Sequence, residues 1–132
     1  MSYLIDTDII IYSLNNQGIV VENFRIHRET PKSLSVITYG ELVYGARKSK
    51  FVEKNLGKVH RIAELFPIIH VSPAIMETFG EMKALLESDG QRIDDMDLLI
   101  ASTALTHNLV LVTNNEKHFR RVPGLEIENW TS

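Results

Sequence analysis

The chain has 132 residues, of which 44% are hydrophobic and 23% charged; its net charge is −3 and it has no cysteine. This length fits one domain with a real core, and the lack of cysteine excludes disulfides and thiolate metal sites. No apolar run approaches the roughly 18 residues of a membrane span, and no secretion signal is visible, so a cytoplasmic protein is expected. The acidic balance argues against coating nucleic acid by bulk charge, but allows binding through a local patch.

The first part of the chain alternates between strand and helix patterns. In chain order we predict a strand at SYLID, helices at TDIIIYSL and VVENFRIHRE, a strand at SLSVI and a helix at YGELVYGARKS. Pro31 breaks the chain before the second strand. In the last of these helices, apolar Leu42, Val43 and Ala46 share one face.

The second part repeats the alternation. It predicts a helix at VEKNLGKVHRIAELF, a strand at IIHV, helices at PAIMETFGEMKALLESDG and DMDLLIASTALTHN, and strands at LVLVT and LEIENW. The unbroken apolar run of LVLVT is typical of a parallel sheet covered on both faces. The pattern predicts one domain over residues 1–132, a three-layer α/β/α sandwich with a mainly parallel central sheet. Ligands of such sheets bind beyond the carboxyl ends of the strands.

Three segments of the chain place acidic residues near that edge. Asp6 closes the first strand and has a structural interpretation as the cap of the next helix. Glu41 stands three residues after Thr38, as in a capping box. Asp97 stands in the same relation to Asp94. The predicted topology nevertheless brings Asp6, Glu41 and Asp97 into one cleft.

Converging carboxylates raise each other's pKa unless a cation lies among them. Oxygen ligands suit Mg²⁺ or Mn²⁺ rather than zinc, and Mg²⁺ usually takes a few carboxylates together with substrate phosphates. Such an ion lowers the pKa of a bound water and stabilises charge on a scissile phosphate. The cleft therefore predicts metal-assisted phosphodiester hydrolysis.

Three segments carry a family resemblance: LIDTDIII, SVITYGELVYGARKS and DMDLLIASTALTHNLVLVTNNEKHFRRVPGLEIENW. Together they resemble the PIN-domain ribonucleases, and most closely the VapC-type toxins of bacterial toxin–antitoxin pairs. The resemblance implies a PIN-like fold and a magnesium-dependent endoribonuclease, for which Mn²⁺ can substitute. It also implies an RNA substrate, a cognate antitoxin protein and a homodimer. Asp6, Glu41 and Asp97 match the family's acidic residues, whereas Asp94 and Asp95 do not and are assigned to helix capping and the local field.

The segment after the fourth strand departs from the family pattern. Where many members carry a fourth acid, this chain has Asn114, Asn115 and His118, and Glu116 is out of step. The choice between one metal and two therefore stays open. Thr113 and Asn115 are candidate substrate-binding residues, although the asparagines also suit a turn. His118 is a candidate for proton transfer or a surface residue of a short helix.

Two groups of basic residues are candidate contacts for RNA phosphates. The first comprises Arg47, Lys48, Lys50, Lys54, Lys58 and Arg61, and it fits a solvated helix face equally well. The second, which is better placed near the predicted acids, comprises Lys117, Arg120 and Arg121. Tyr12, Tyr39 and Tyr44 are either stacking platforms for bases or core and interface residues.

Two alternative functions remain. Because the fourth acid is missing, the chain could be a catalytically inactive PIN module that binds RNA or a partner protein. The IDTD segment also matches the Asp-x-Asp start of haloacid-dehalogenase-like phosphatases. For that family, however, the chain is short, and the acidic pair Asp94–Asp95 precedes a helix instead of closing a late strand.

Overall fold

The computed structural model describes all residues, 1–132. In chain order the elements are β1 (Tyr3–Ile5), α1 (Thr7–Leu14), α2 (Gly18–Ile26), β2 (Lys32–Ser35), α3 (Val36–Arg47), α4 (Val52–Leu65), β3 (Ile68–Ile69), α5 (Pro73–Ser88), α6 (Asp95–His107), β4 (Val110–Val112), α7 (Glu116–Phe119) and β5 (Ile127–Glu128). Every predicted strand and helix is present. No helix is both long and apolar enough to cross a bilayer.

The five strands form one sheet in the order β3-β2-β1-β4-β5, and every neighbouring pair is parallel. Successive strand residues point to opposite faces, so β1 contributes to both halves of the core. Tyr3 and Ile5 pack in the cluster beneath α1 to α4, while Leu4 packs in the cluster beneath α5 and α6. Helices therefore cover both faces of the sheet, which confirms the three-layer α/β/α sandwich.

The start of α3 corrects one prediction. Its β-branched residues Val36 and Ile37 suggested a strand continuing to residue 37, but β2 ends at Ser35. The Ser35 hydroxyl accepts a hydrogen bond from the Ile37 N–H at 3.0 Å and caps the helix. The alternative interpretation of Glu41 as part of a capping box with Thr38 is therefore wrong, because Thr38 lies inside α3 and Ser35 caps the helix.

The C-terminal residues are anchored by an aromatic cluster. Trp130 is 2% exposed. Its ring stacks on His27 with the centroids 4.7 Å apart, and it meets Tyr3 and Phe24 edge-on. Because Trp130 is fixed in this way, the neighbouring Asn129 and Thr131 are held beside the loop that follows β4.

Candidate active site

Asp6 lies where the ends of β1 and β4 meet. Its Oδ1 accepts a hydrogen bond from the Thr7 N–H at 2.8 Å, and its Oδ2 accepts one from the Thr113 hydroxyl at 2.7 Å. The predicted cap of α1 is thus confirmed. Asp6 is only 5% exposed. Burial raises its pKa, the Thr113 and Thr7 hydrogen bonds lower it, and the Glu41 charge raises it further.

Glu41 is joined to the same corner through Thr7. The Thr7 hydroxyl donates to Glu41 Oε1 at 2.6 Å, and its oxygen lies 3.1 Å from the hydroxyl of buried Thr38. A hydroxyl has one proton but can also accept, so donation to Glu41 leaves Thr7 Oγ1 to accept from Thr38. These hydrogen bonds hold Glu41 Oε1 against Thr7, the residue that follows Asp6 in the sequence.

The acids at the start of α6 have different environments. Asp94 caps the helix, as predicted, since its Oδ2 accepts from the Met96 N–H at 3.1 Å and lies 3.4 Å from the Asp97 nitrogen. Asp95 is exposed and forms an ion pair with Lys83 at 3.0 Å. Asp97 is half-buried. Burial and the charges of Asp6, Asp94 and Glu41 raise its pKa to about 6, which places Asp97 in the field of the other two carboxylates.

Asp8 is a site residue that the sequence analysis missed. Its Oδ2 accepts from the Asn114 N–H at 3.1 Å, whereas its Oδ1 is buried without any hydrogen-bond partner. Burial and the charge of Asp6 raise the pKa of Asp8 to about 7. Its place two residues after Asp6 was a signal, but the sequence does not reveal that the side chain turns inward.

The loop after β4 places three of the other candidate residues near Asp6. The Asn115 N–H donates to the Thr113 hydroxyl oxygen at 2.9 Å, so Thr113 links this loop to Asp6. The Asn115 amide lies 3.0 Å from His118 Nδ1. Thr113 is fully buried, while Asn115 and His118 are partly exposed. Both partly exposed side chains are therefore within reach of a ligand at this edge.

The same loop is held by the C-terminal tail. Asn114 Oδ1 accepts from Asn129 Nδ2 at 3.1 Å and from the Thr131 hydroxyl at 3.0 Å. Asn129 Nδ2 also donates to Glu116 Oε2 at 2.9 Å. The asparagine that the sequence analysis considered a turn residue thus connects the loop to the tail.

The second basic group is partly occupied by contacts within the protein. Arg120 pairs with Glu116 at 2.8 Å, and Arg121 donates to the Arg92 carbonyl oxygen at 2.7 Å. Lys117 forms no ion pair. Of the three, Lys117 has the charge most available for a ligand.

The donor set at this edge fits a hydrated hard cation. No group of three acidic or histidine side chains is drawn together as a ready-made metal cage. Mg²⁺ does not need one, because it usually keeps several waters and takes one or two carboxylates. The buried Oδ1 of Asp8 is an acceptor without a donor, which is the kind of oxygen that a metal-bound water would satisfy.

The class of protein follows from the comparison with known families. The family model of the PIN domain matches residues 3–125, and the chain belongs to this family. Within it, the chain is 38% identical to the Ribonuclease VapC2 of Rickettsia felis, with 98% of each chain covered. It is 31% identical to the tRNA(fMet)-specific endonuclease VapC of Shigella flexneri, with 99% of each covered. These relatives confirm the resemblance to VapC-type proteins.

Solved structures agree with that placement. The chain matches the VapBC2 structure from Rickettsia felis, bound to a DNA fragment from its promoter, with a TM-score of 0.92 and 37% identity, covering 98% of this chain and 99% of that one. The DNA-bound VapBC structure from Salmonella typhimurium gives a TM-score of 0.90 and 31% identity over 98% of both chains. The phosphatase alternative finds no support in these matches.

Proposed function

We propose that the protein, acting as a single domain over residues 1–132, is a magnesium-dependent endoribonuclease and the toxin of a toxin–antitoxin pair. Its relatives are named ribonucleases, and its structural neighbours are named as VapBC pairs. The observation that supports the catalytic assignment is the hydrogen-bonded corner in which the Thr7 N–H donates to Asp6 and the Thr7 hydroxyl donates to Glu41. The pKa of Asp97, raised by burial and by the charges of Asp6, Asp94 and Glu41, agrees with it. In this proposal Asp6, Glu41 and Asp97, which come from three separate segments, interact electrostatically at the carboxyl edge of the sheet.

In this proposal Asp6, Glu41 and Asp97 hold the ion. Mg²⁺, when bound, stabilises charge on the phosphate and lowers the pKa of the attacking water. The Thr113 and Thr7 hydroxyls orient one oxygen each of Asp6 and Glu41. Asp6 and Asp97 lie at the first turns of α1 and α6, where the positive end of the helix dipole favours negative charge. A bound cation would counter the raised pKa of Asp6 and of Asp97, because an opposite charge nearby favours the ionised carboxylate.

The RNA strand in this proposal contacts the loop and helix that follow β4. The assigned contacts are Asn115, Lys117, Arg120 and Arg121. Thr113, the remaining sequence candidate for substrate binding, is fully buried and instead positions the loop against Asp6. Thr113 and Asn115 are tied to the Asp6 corner by hydrogen bonds, and Lys117 has no internal ion pair. The only carboxylate that this segment could offer a second ion is that of Glu116, and its oxygens already accept hydrogen bonds from Asn129 and Arg120. One Mg²⁺, replaceable by Mn²⁺, is therefore the simpler proposal.

The proposed partners are a cognate antitoxin protein and a second copy of the chain, in the cytoplasm. The sequence offers apolar residues on α1 and α3 for such surfaces. Of these, Ile10 and Leu42 are in the core, whereas Ile11 is 42% and Tyr44 65% exposed. Ile11 and Tyr44 are the ones available for contact. Light scattering at micromolar concentration tests the dimer, and a monomer would contradict it.

The cutting function is tested with antitoxin-free protein and a mixed RNA pool. Cleavage should require Mg²⁺, stop with EDTA and resume when excess Mg²⁺ is restored. A folded protein that binds the RNA without cutting it at any Mg²⁺ concentration would instead identify the inactive PIN module. Asparagine at positions 114 and 115, where the family resemblance leads us to expect an acid, is the feature that favours this second function.

A further inference from the structure

The tail, residues 129–132, lies beyond the residues 3–125 that the PIN family model matches, and it belongs to no helix or strand. It is anchored by the buried Trp130. Besides the aromatic contacts of its ring, Trp130 accepts a hydrogen bond at its carbonyl oxygen from Asn23 Nδ2 at 3.1 Å, and its indole N–H donates to Glu128 Oε1 at 3.1 Å. The tail is therefore anchored on α2 and β5.

From this anchor, Asn129 reaches both ends of the loop after β4. Its Nδ2 donates to Asn114 Oδ1 at 3.1 Å and to Glu116 Oε2 at 2.9 Å, and its Oδ1 accepts from the Thr131 N–H at 2.9 Å. An asparagine amide has two N–H donors, so both are used on this segment. The Thr131 hydroxyl lies 3.0 Å from Asn114 Oδ1 and 2.7 Å from Asn129 Oδ1. Side chains of the tail thus hold the loop on both sides of residue 115.

The loop in turn orients a buried carboxylate of the site. Residues 113–115 belong to neither β4 nor α7. The Asn114 N–H donates to Asp8 Oδ2 at 3.1 Å, whereas Asp8 Oδ1 has no hydrogen-bond partner. The direction of the Asp8 carboxylate therefore depends on where Asn114 is placed. A shift of Asn114 would also displace Asn115, an assigned RNA contact.

The contacts between tail and loop are made near the surface. Asn114 is exposed, and Asn129 and Thr131 are partly exposed. Hydrogen bonds of this kind add little to the stability of a fold, because water competes for the same groups. Their loss is expected to move the loop without unfolding the domain. In a catalytic site, a displacement of about 1 Å can lower the rate about a hundredfold.

We propose that Asn129 and Thr131 are positioning residues for RNA cleavage, an inference that rests on the proposed ribonuclease function. They act through Asn114, which they hold so that Asp8 keeps its direction and Asn115 meets the RNA. The tail has no basic residue and so adds no cation for a phosphate. Its effect is therefore on the turnover of bound RNA and not on the affinity for RNA.

The kinetic test compares variants of the tail with a labelled RNA that the wild type cleaves, at saturating Mg²⁺. Asn129→Ala should lower kcat about tenfold or more, with KM within about twofold of the wild type, because orientation is lost and charge is not. Thr131→Val, which keeps the shape of threonine without its hydroxyl, should lower kcat by a smaller factor. Thr131→Ser restores the hydroxyl and should have the wild-type kcat.

Thr78→Val is the matched control. It also removes one hydroxyl from a side-chain pair, since Thr78 Oγ1 lies 2.9 Å from Thr106 Oγ1 between α5 and α6. This control should leave kcat and KM unchanged. Thermal melts establish that each variant is folded at the assay temperature.

Amide hydrogen exchange, followed by NMR without RNA, tests the position of the loop separately from cleavage. In Asn129→Ala the Asn114 N–H should exchange about tenfold faster, because local opening of the loop becomes easier. The Leu111 N–H, which donates to the Glu126 carbonyl oxygen within the sheet, should keep its wild-type rate.

A wild-type kcat in folded Asn129→Ala would overturn the inference and leave the ribonuclease function intact. A lower kcat with unchanged exchange at Asn114 would also overturn it, because the tail would not act through the loop. A loss of kcat that Thr131→Ser or Thr78→Val shares with Thr131→Val would do the same. If the wild type cuts no RNA at any Mg²⁺ concentration, the proposed function itself fails and the inference falls with it.

Discussion

Helices α1 and α6 both begin with clustered aspartates, but the two clusters are organised differently. At α1 the capping residue Asp6 is also the buried residue of the site, and Asp8 is turned inward beside it. At α6 the roles are divided: exposed Asp94 caps, Asp95 pairs with Lys83, and Asp97 alone faces the other carboxylates. An aspartate thus caps the start of each helix. Which of the acids interact electrostatically with one another depends on how close each lies to the carboxyl edge of the sheet.

The difference explains where negative charge is costly. Asp94 and Asp95 are solvated or paired, so their charges add little to the free energy of folding. The pKa of Asp8 is raised to about 7 and that of Asp97 to about 6, mainly by burial. Ionisation of Asp8 and Asp97 in the absence of a cation therefore lowers the stability of the folded protein, whereas ionisation of Asp94 and Asp95 does so very little.

The largest expected effect is on RNA cleavage by Asp97→Asn. If Asp97 binds the ion, its loss removes several kcal/mol of transition-state stabilisation, or roughly a thousandfold in rate. The variant should melt at or above the wild-type temperature, since a repelling charge is gone. Cleavage rates of both proteins at matched Mg²⁺ test this, together with growth toxicity. Near-equal rates from two folded proteins would end the assignment of Asp97 as a ligand.

Next in size is the pH dependence of stability in metal-free protein. A carboxyl whose pKa is raised in the folded state binds protons more tightly there than in the unfolded chain. Unfolding then becomes easier as pH rises from about 4, the unfolded value, through about 6 and 7, the folded values of Asp97 and Asp8. The melting temperature should be higher at pH 5 than at pH 8.

Saturating Mg²⁺ should reverse part of that difference, with a larger gain at pH 8, where the ligands are ionised. A metal-free melting temperature that rises from pH 5 to pH 8 would contradict the raised pKa values.

A smaller effect is expected for Asp8→Asn. The asparagine oxygen can still accept from the Asn114 N–H, while the buried charge beside Asp6 disappears. Stability should rise by about 1–2 kcal/mol at pH 8, in the range of one relieved buried polar group, and by less at pH 5, where Asp8 is already protonated. Urea titrations at the two pH values measure both gains. Equal gains would show that Asp8 is not the group that titrates.

The smallest effect is expected for Asp94→Asn, the matched change on the other side of the comparison. Asparagine caps helices as well as aspartate does, so stability should change by less than about 0.5 kcal/mol and cleavage by less than twofold. Asp94→Ala, which removes the cap, should cost about 1 kcal/mol with cleavage retained. A loss of cleavage in Asp94→Asn comparable to that in Asp97→Asn would mean that general charge, not ligation, controls activity.

Much of this arrangement could be predicted from residue pattern because strands and helices alternate with clear periodicity. The parallel sheet and the position of Asp6 follow from that pattern directly. The start of α3 was not predicted, because Val36 and Ile37 favour a strand and the pattern gave no reason to expect Ser35 as the capping residue. The sequence gives no local signal for the inward turn of Asp8 or for the Asn114–Asn129 hydrogen bond, because both depend on packing between distant segments.

The hydrogen bond between Thr113 and Asp6 has a consequence for how the protein is made. It joins residues 107 positions apart. The middle strand β1 can pair along its second edge only when β4 is present. A nascent chain that has emerged with Asp6 and Glu41 still lacks the strand that completes this corner. Since domains generally fold as units during synthesis, we expect the corner at Asp6 to be completed only after β4 has left the ribosome, so that the proposed RNA-cutting site is not finished before most of the chain has been made.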